Sequence, residues 1–543
     1  MVADFKEKVI ELIDNLKGVC ASYGLGNDGN EFKIITQVFL YKFLNDKFAY
    51  SIKKIDDKFN VNNWEEIYSN MNEMDREMLL MELGSNTAQF YPEHLLSNIF
   101  KRQNEREFAK LFDDTLEDIA LKNSDIFAVV TVGGAKVTLF DRISEFVIDD
   151  SKRDDFIKAI INKIVEFSFE HIFKEKYDFY ATIFEYLIKD YNSDSGGKYA
   201  EYYTPHAVAK IMASILVPEN EDIKNVTCYD PSAGSGTLLM SLAHSIGEDK
   251  CSIFSQDISQ KSTSLLRLNL ILNNLNHSIH NIIYGNTLEF PEHKENGKLR
   301  EFDYIVSNPP FKTDFSDYRN NLEKKENNER FFAGIPKIKE KDKTKMEIYL
   351  LFIQHIMYSL KKENGRAAIV VPTGFITAQN GIEKKIREKL IEEKMLRGVV
   401  SMPSNIFATT GTSVSILVLD KGNTRGNIVL MDASNLGDKV KEGKNQKTVL
   451  SPEEVKLIIN TFNKHEAKEN FSVVVSYEAI AEKNYSFSAG QYFDVKIEYV
   501  DITNEEFKEK MNGFKNRLAV LFNETKKIEE EIKKQLEGIN YGN

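Results

Sequence analysis

Asp303-Tyr304-Ile305-Val306-Ser307-Asn308-Pro309-Pro310-Phe311 reads as a short apolar strand, Tyr304 to Val306, that runs into a polar amide, two prolines and an aromatic ring. The prolines lock two φ angles and remove two backbone donors. The Asn308 side chain and the nearby carbonyls therefore stand as fixed acceptors beside the Phe311 ring. Such a corner suits a planar group bearing an amino substituent, because the ring stacks on its face while the acceptors take its N–H protons. A nucleobase has that shape. Taken alone, the tetrapeptide reads equally well as an Asn-Pro turn followed by a core phenylalanine, and the upstream sequence decides between the two.

Upstream, Asn225 to Tyr229 has the character of a buried strand ending at Asp230, followed by Pro231-Ser232-Ala233-Gly234-Ser235-Gly236-Thr237 and a helix from Leu238. Glycines at such a turn let the backbone come close to a ligand and leave helix-terminal N–H groups pointing at it. A dinucleotide fingerprint asks for G-x-G-x-x-G, and Leu239 stands at the third glycine position, which weakens a pyrophosphate reading. A second strand, Ser252 to Gln256, ends at Asp257, where a carboxylate accepts hydrogen bonds from ribose hydroxyls. A third, Asn281 to Tyr284, ends in Gly285-Asn286, whose amide suits an adenine edge. With Tyr304 to Val306, four strand tips converge on one crevice, the place where open α/β sheets bind ligands. An Asp at a strand end is by itself most often a helix cap, and the specificity lies in the ordered set.

Before these strands, Ser193-Asp194-Ser195-Gly196-Gly197 forms a flexible joint. It delivers Lys198-Tyr199-Ala200-Glu201-Tyr202-Tyr203-Thr204-Pro205 to a helix running through Ile211 and Ile215. Thr204 is expected as N-cap with Pro205 at the first helical position. A turn so rich in rings and hydroxyls suits a small polar ligand, with a simple capped linker as the plain alternative.

The ordered set resembles the S-adenosylmethionine-dependent amino-methyltransferases that act on DNA adenine. Their glycine motif is similar to Asp230 through Gly236, and their catalytic motif to Asn308-Pro309-Pro310-Phe311. More closely, the chain resembles the modification subunit of type I restriction-modification systems, whose leading motif matches Glu201-Tyr202-Tyr203-Thr204-Pro205. The resemblance implies that Tyr202, Thr204 and Pro205, with Asp230, Gly234 and Gly236, line the methionine end of S-adenosyl-L-methionine. Asp257 would hold the ribose and Asn286 would face the adenine. Glu201, Tyr203, Ser232, Ser235 and Thr287 complete the expected cofactor set.

Asn308, Pro309, Pro310 and Phe311 are the expected catalytic residues for an in-line displacement. The adenine N6 lone pair is delocalised into the ring; hydrogen bonds to the Asn308 oxygen and the Pro309 carbonyl favour a pyramidal, more reactive nitrogen, while Phe311 stacks on the extruded base. No general base or metal is called for, since the sulfonium leaves without its charge. The same site chemistry accommodates a glutamine amide or an RNA base, and a non-catalytic cofactor-binding scaffold is the alternative outside enzymology.

The remaining sequence fits this frame. At 543 residues, 42% hydrophobic and 28% charged, the chain has room for about three units with real cores. A net charge of -12 opposes DNA binding globally, so much of any DNA affinity is expected from a partner. Cys20, Cys228 and Cys251 show neither zinc-ligand nor disulfide-framework spacing, which points to the cytoplasm, and no stretch reads as a signal peptide or membrane span. Phe5, Val9, Leu12 and Leu16 recur at helical spacing, Phe32 to Tyr50 is a second helical run, and Asp178 to Tyr191 is a further amphipathic helix. Lys312 to Lys345 is expected as a solvated, mobile loop, with closure over DNA as its other reading. Phe407 is expected in the core, and the Thr409-Thr410-Gly411-Thr412 loop near the base pocket. Phe507, Met511, Phe514, Leu518, Leu521, Ile528 and Ile532 follow a heptad interrupted by Thr525, leaving a narrow apolar seam that seeks a partner helix. The resemblance implies a DNA-specificity subunit, one per two modification subunits, with a restriction subunit as a further partner. No target-recognition domain is legible, which agrees with base reading being delegated.

The expected architecture is α/β: a Rossmann-like methyltransferase core at 166–475, a helical N-terminal domain at 1–165, and a C-terminal segment with a coiled-coil-like arm at 476–543.

Overall fold

The computed structural model describes residues 2–26, 29–84, 87–170, 173, 186, 204–217, 223–407, 413–423, 426–442, 445–493 and 503–537. Its organising element is one mixed sheet of eleven strands. In chain order these are β1 Val129–Thr131, β2 Lys136–Val137, β3 Val226–Asp230, β4 Cys251–Asp257, β5 Ile282–Tyr284 and β6 Tyr304–Ser307. They are followed by β7 Arg366–Pro372, β8 Leu396–Ser401, β9 Val414–Asp420, β10 Asn427–Asp432 and β11 Ser472–Ser476. The spatial order is β11-β10-β8-β9-β7-β6-β3-β4-β5-β1-β2. β3 lies parallel to both β4 and β6, β4 to β5, and β6 to β7. The connections thus run outward on one side through β4 and β5 and on the other through β6 and β7. The switch point falls at the tip of β3, where such sheets open a crevice.

The central strands are covered on both faces by helices and read accordingly as continuous apolar runs, β6 and β9 being buried at every position. His206–Leu216 and Thr237–Ile246 pack against each other beside β3, and Gln260–Leu272 covers β4 and β5. The expected strands all form, within a few residues of their expected ends.

In the N-terminal region, Val2–Ser22 and Gly29–Ile55 are the two expected helices. The second is buried on nearly every side, so it serves as a central post rather than a surface helix. This region also supplies two strands that periodicity did not announce. β1 runs parallel to β5 and β2 pairs antiparallel with β1, extending the sheet beyond β5. A Cβ placed on Gly285, at the β5 tip, would lie 2.0 Å from Val132 Cγ2, so this glycine permits the close approach of the two segments. Met1–Tyr492 forms one compact unit and Phe493–Asn543 a second.

One expectation is corrected. Residues 312–345, expected as a solvated loop, are anchored on a buried core. Phe315, Leu322 and Phe331 are buried with Leu288, Met346 and Leu351 in a separate small core. Their irregular spacing gives no helical or strand period, which is why the segment reads as loop. Phe407 lies in the main core as expected. The second unit contains the helix Asn504–Glu537, whose heptad residues Phe507, Met511, Phe514, Leu518, Leu521, Ile528 and Ile532 are all exposed. The joint at Ser193–Gly197, the helix expected at Asp178–Tyr191 apart from Tyr186, and the loop Thr409–Thr412 lie outside the described residues.

Candidate functional site

The four strand tips are laced together by hydrogen bonds. At the β3 tip, Asp230 is buried and accepts from the Ser232 backbone N–H at 2.9 Å, which sets the turn into Gly234. The Ser232 hydroxyl lies 2.8 Å from the Ser307 hydroxyl at the end of β6, tying the glycine turn to the strand that carries Asn308-Pro309-Pro310-Phe311. At the β4 tip, Asp257 Oδ2 accepts from the Gly234 N–H at 3.0 Å and Oδ1 from the Ser259 N–H at 2.8 Å. The Thr287 hydroxyl, beyond β5, sits 2.8 Å from the Pro231 carbonyl and 2.9 Å from the Gln256 carbonyl. Thr287 is therefore a brace between the tips of β3, β4 and β5.

The turn itself requires glycine. Gly234 and Gly236 have φ of 54° and 83°, and a Cβ on Gly236 would lie 2.3 Å from Leu266 Cδ1. Ser235 is buried, its hydroxyl 3.1 Å from that of Thr237 and its carbonyl accepting from Asn269. Asn286 Oδ1 accepts from the backbone N–H groups of Leu288 and Glu289, so its oxygen closes a local turn.

Asn308 is half-buried, and its Nδ2 donates to Thr204 Oγ1 at 3.2 Å. This corrects the expected cap. The helix begins at His206 with Pro205 in the capping position and no side-chain cap, and the Thr204 hydroxyl is turned to the Asn308 amide. With Nδ2 so engaged, Asn308 Oδ1 and the Pro309 carbonyl have no donor among the described residues. Both are the acceptors that an amino group would meet.

Phe311 is half-buried, packed edge-on to Tyr349 with ring centroids 6.3 Å apart, and Tyr349 meets Phe375 in the same manner. The buried Arg387 holds the turn bearing Phe375, donating to the carbonyls of Phe375, Ala378 and Tyr485. Tyr349, Phe375 and Arg387 complete an aromatic wall that motif reading missed. Tyr349 and Arg387 lie in helices whose periodicity gives no sign of a site. Ser307, also missed, carries one signal, since it immediately precedes Asn308. Glu201, Tyr202 and Tyr203 lie outside the described residues.

Electrostatics distinguish this crevice. Burial pushes the Asp230 carboxyl up to about 8, against the lowering effect of the Ser232 N–H and the Ser307 hydroxyl. Asp257 is pushed up to about 6 by burial, moderated by the N–H groups of Ser259 and Gly234. Neither carboxylate has a cationic side chain as partner among the described residues. Two buried acids without a counter-ion fit a ligand that brings its own positive charge and hydroxyl donors, as S-adenosylmethionine does.

The sheet order, the switch point at β3 and the acid-tipped strands define the S-adenosylmethionine-dependent methyltransferase class. The model of the N-6 DNA methylase family matches residues 175–500, and the chain belongs to that family. Among curated relatives, the type I restriction enzyme MpnII methylase subunit of Mycoplasma pneumoniae is 27% identical, over 99% of this chain and 98% of that protein. The MjaVIII methylase subunit of Methanocaldococcus jannaschii is 24% identical, over 92% and 82%. Two crystal structures carry the same fold. A type I restriction-modification methyltransferase subunit from Streptococcus thermophilus aligns with a TM-score of 0.72 at 22% identity, covering 90% of this chain and 100% of that one. A modification subunit from Vibrio vulnificus gives 0.53 at 17%, covering 88% and 93%.

Proposed function

We propose that this chain is the modification subunit of a type I restriction-modification system, transferring a methyl group from S-adenosyl-L-methionine to N6 of adenine in double-stranded DNA. The observation that carries the reading is the orientation of Asn308. Its amide nitrogen donates to the Thr204 hydroxyl, which leaves its oxygen and the Pro309 carbonyl without a donor among the described residues, a pair of acceptors for an amino group. Both protons of an exocyclic amine would be taken there, which concentrates the nitrogen lone pair on the free face. Phe311, backed by Tyr349, would stack on the extruded base and keep water from it. S-adenosyl-L-methionine supplies, when bound, an electrophilic methyl on a cationic sulfur. Asp230, Gly234 and Gly236, with Tyr202, Thr204 and Pro205, would hold its methionine end, and Glu201, Tyr203, Ser232 and Ser235 would complete the cofactor set. Asp257 would take the ribose hydroxyls, and Asn286 and Thr287 would border the adenine.

The exposed seam of Asn504–Glu537 would dock on helices of a specificity subunit, two modification subunits to one, with a restriction subunit joining the assembly in the cytoplasm. No described helix is long and apolar enough to cross a membrane. The test is transfer of labelled methyl groups to unmodified DNA by the chain co-expressed with its specificity partner. Label in N6-methyladenine, lost with Asn308→Ala, supports the reading. Label in protein or RNA, or none in a folded, cofactor-binding complex, overturns it.

A further inference from the structure

The Lys312–Lys345 segment leaves the catalytic tetrapeptide and returns to it. The Thr313 N–H, two residues past Phe311, donates to the Met346 carbonyl at 3.0 Å. Between these points the segment is pinned from inside. Arg319 Nε donates to the Pro336 carbonyl at 2.9 Å, the Ala333 N–H to Gln354 Oε1 at 2.8 Å, and Ile338 packs on the small core beneath. What lies outside that core is a strip of exposed lysines at alternating positions, Lys337, Lys339, Lys341, Lys343 and Lys345.

Lys339 reaches Glu347 at 3.6 Å and Lys345 reaches Asp342 at 3.0 Å. Lys337, Lys341 and Lys343 have no carboxylate within ion-pair distance among the described residues. Against Glu340, Asp342, the Glu347 that pairs with Lys339 and the Asp314 near Lys343, the five lysines leave a small local excess of positive charge, carried by the unpaired Lys337, Lys341 and Lys343, on a chain whose net charge is -12. A solvated charge run needs no anchoring. This one is fixed at both ends, beside the residues that would receive the target base.

We propose that Lys337–Lys345 is a phosphate-docking ridge that takes the DNA backbone next to the nucleotide drawn into the Asn308 site. The inference rests on the reading of that site as a DNA adenine site. It assigns the ridge to positioning through charge alone, so its contribution is independent of base sequence and sensitive to salt.

The test is binding of the full-length chain to a fluorescent random-sequence DNA duplex, followed by anisotropy across a salt series. Replacing Lys337, Lys341 and Lys343 together with Gln is expected to flatten the slope of log affinity against log salt by about 2 to 3, since each lost phosphate contact removes about 0.9. Affinity at low salt should fall about tenfold or more. The corresponding triple Arg variant should keep both slope and affinity, and Gln at the exposed Lys101, Lys110 and Lys163 should leave them unchanged. An unchanged slope in the ridge variant, an equal loss in the control variant, or no duplex binding by the wild type overturns the proposal. Cofactor binding by the ridge variant reports that it is folded. Absence of methyl transfer by the wild-type complex would sink the parent reading while leaving the slope measurement intact.

Discussion

Asn308 Nδ2 donates to Thr204 Oγ1 across 3.2 Å, joining the Asn308-Pro309-Pro310-Phe311 turn to a residue about a hundred positions earlier in the chain. With the nitrogen engaged by Thr204, the amide oxygen is the atom left for a substrate amino group. Thr204→Val preserves shape and removes the acceptor. A neutral hydrogen bond is worth about 1 kcal/mol, so the rate of single-turnover methyl transfer should drop about fivefold to tenfold, with Thr204→Ser near wild type. A rate unchanged at saturating cofactor, with only cofactor affinity reduced, would mean that Thr204 acts on the cofactor alone and does not orient Asn308.

Asn308→Ala removes one of the two acceptors outright. Transfer should fall by about a thousandfold or more, as for deletion of a group acting only on the reacting atom, while S-adenosylmethionine affinity stays within about threefold. Titration calorimetry beside a labelled-methyl assay separates the two. Parallel loss of binding and turnover would contradict the assigned role.

The parts legible in the sequence are those with local causes. Asp230, Asp257 and Asn308 each follow a short apolar run, so a strand tip and its polar end residue are visible together, and the glycine turn is legible through its spacing. What escaped reading depends on partners distant in the chain. Thr204 looked like a cap because a hydroxyl before Pro205 and a helix is a local pattern, whereas its bond to Asn308 exists only once β6 lies beside the helix start. β1 is three residues long and pairs with β5 across a wide gap in sequence, too short for alternation to show. The core under Lys312–Lys345 is built from Phe315, Leu322 and Phe331, whose spacing has no period.

Cofactor binding should depend on pH. Burial raises Asp230 to about 8 and Asp257 to about 6, so in the free protein both carboxyls are protonated at mildly acidic pH. A cationic ligand favours the ionised forms, so binding releases protons and strengthens as pH rises from about 6 to about 8. The stability sign is opposite. Raised carboxyls favour the free fold at low pH, and that contribution is lost as pH climbs through about 8. Titration calorimetry in buffers of different ionisation enthalpy should therefore detect proton release, and Asp230→Asn should reduce it. Affinity independent of pH across this range would exclude the carboxylates from the cofactor site.

Gly236 tests the turn. An alanine there takes a backbone with φ of 83° and drives its Cβ to 2.3 Å from Leu266 Cδ1. Strain plus overpacking should cost about 2 to 4 kcal/mol, seen as a lower denaturant midpoint. Leu266 is buried, so the comparison is made against the Leu266→Ala single variant, in whose background Gly236→Ala should keep only the dihedral share of its cost. No cost of Gly236→Ala in that background would show that φ at this turn carries none.

The Asn504–Glu537 helix exposes Phe514 and Leu518 along its seam and belongs to a compact unit distinct from Met1–Tyr492. An exposed heptad stripe gains its burial energy only on meeting a partner helix, at about 1.5 to 3 kcal/mol for each large side chain covered. Replacing Phe514 and Leu518 with Glu removes two such side chains and places charge in the seam, so affinity for a specificity subunit should fall at least about a hundredfold. The melting of the first unit and its cofactor binding should not change, because the seam makes no part of that unit's core. Truncation after Tyr492 should reproduce both results. Co-purification of either variant with the specificity subunit at wild-type yield would move the docking surface to the first unit.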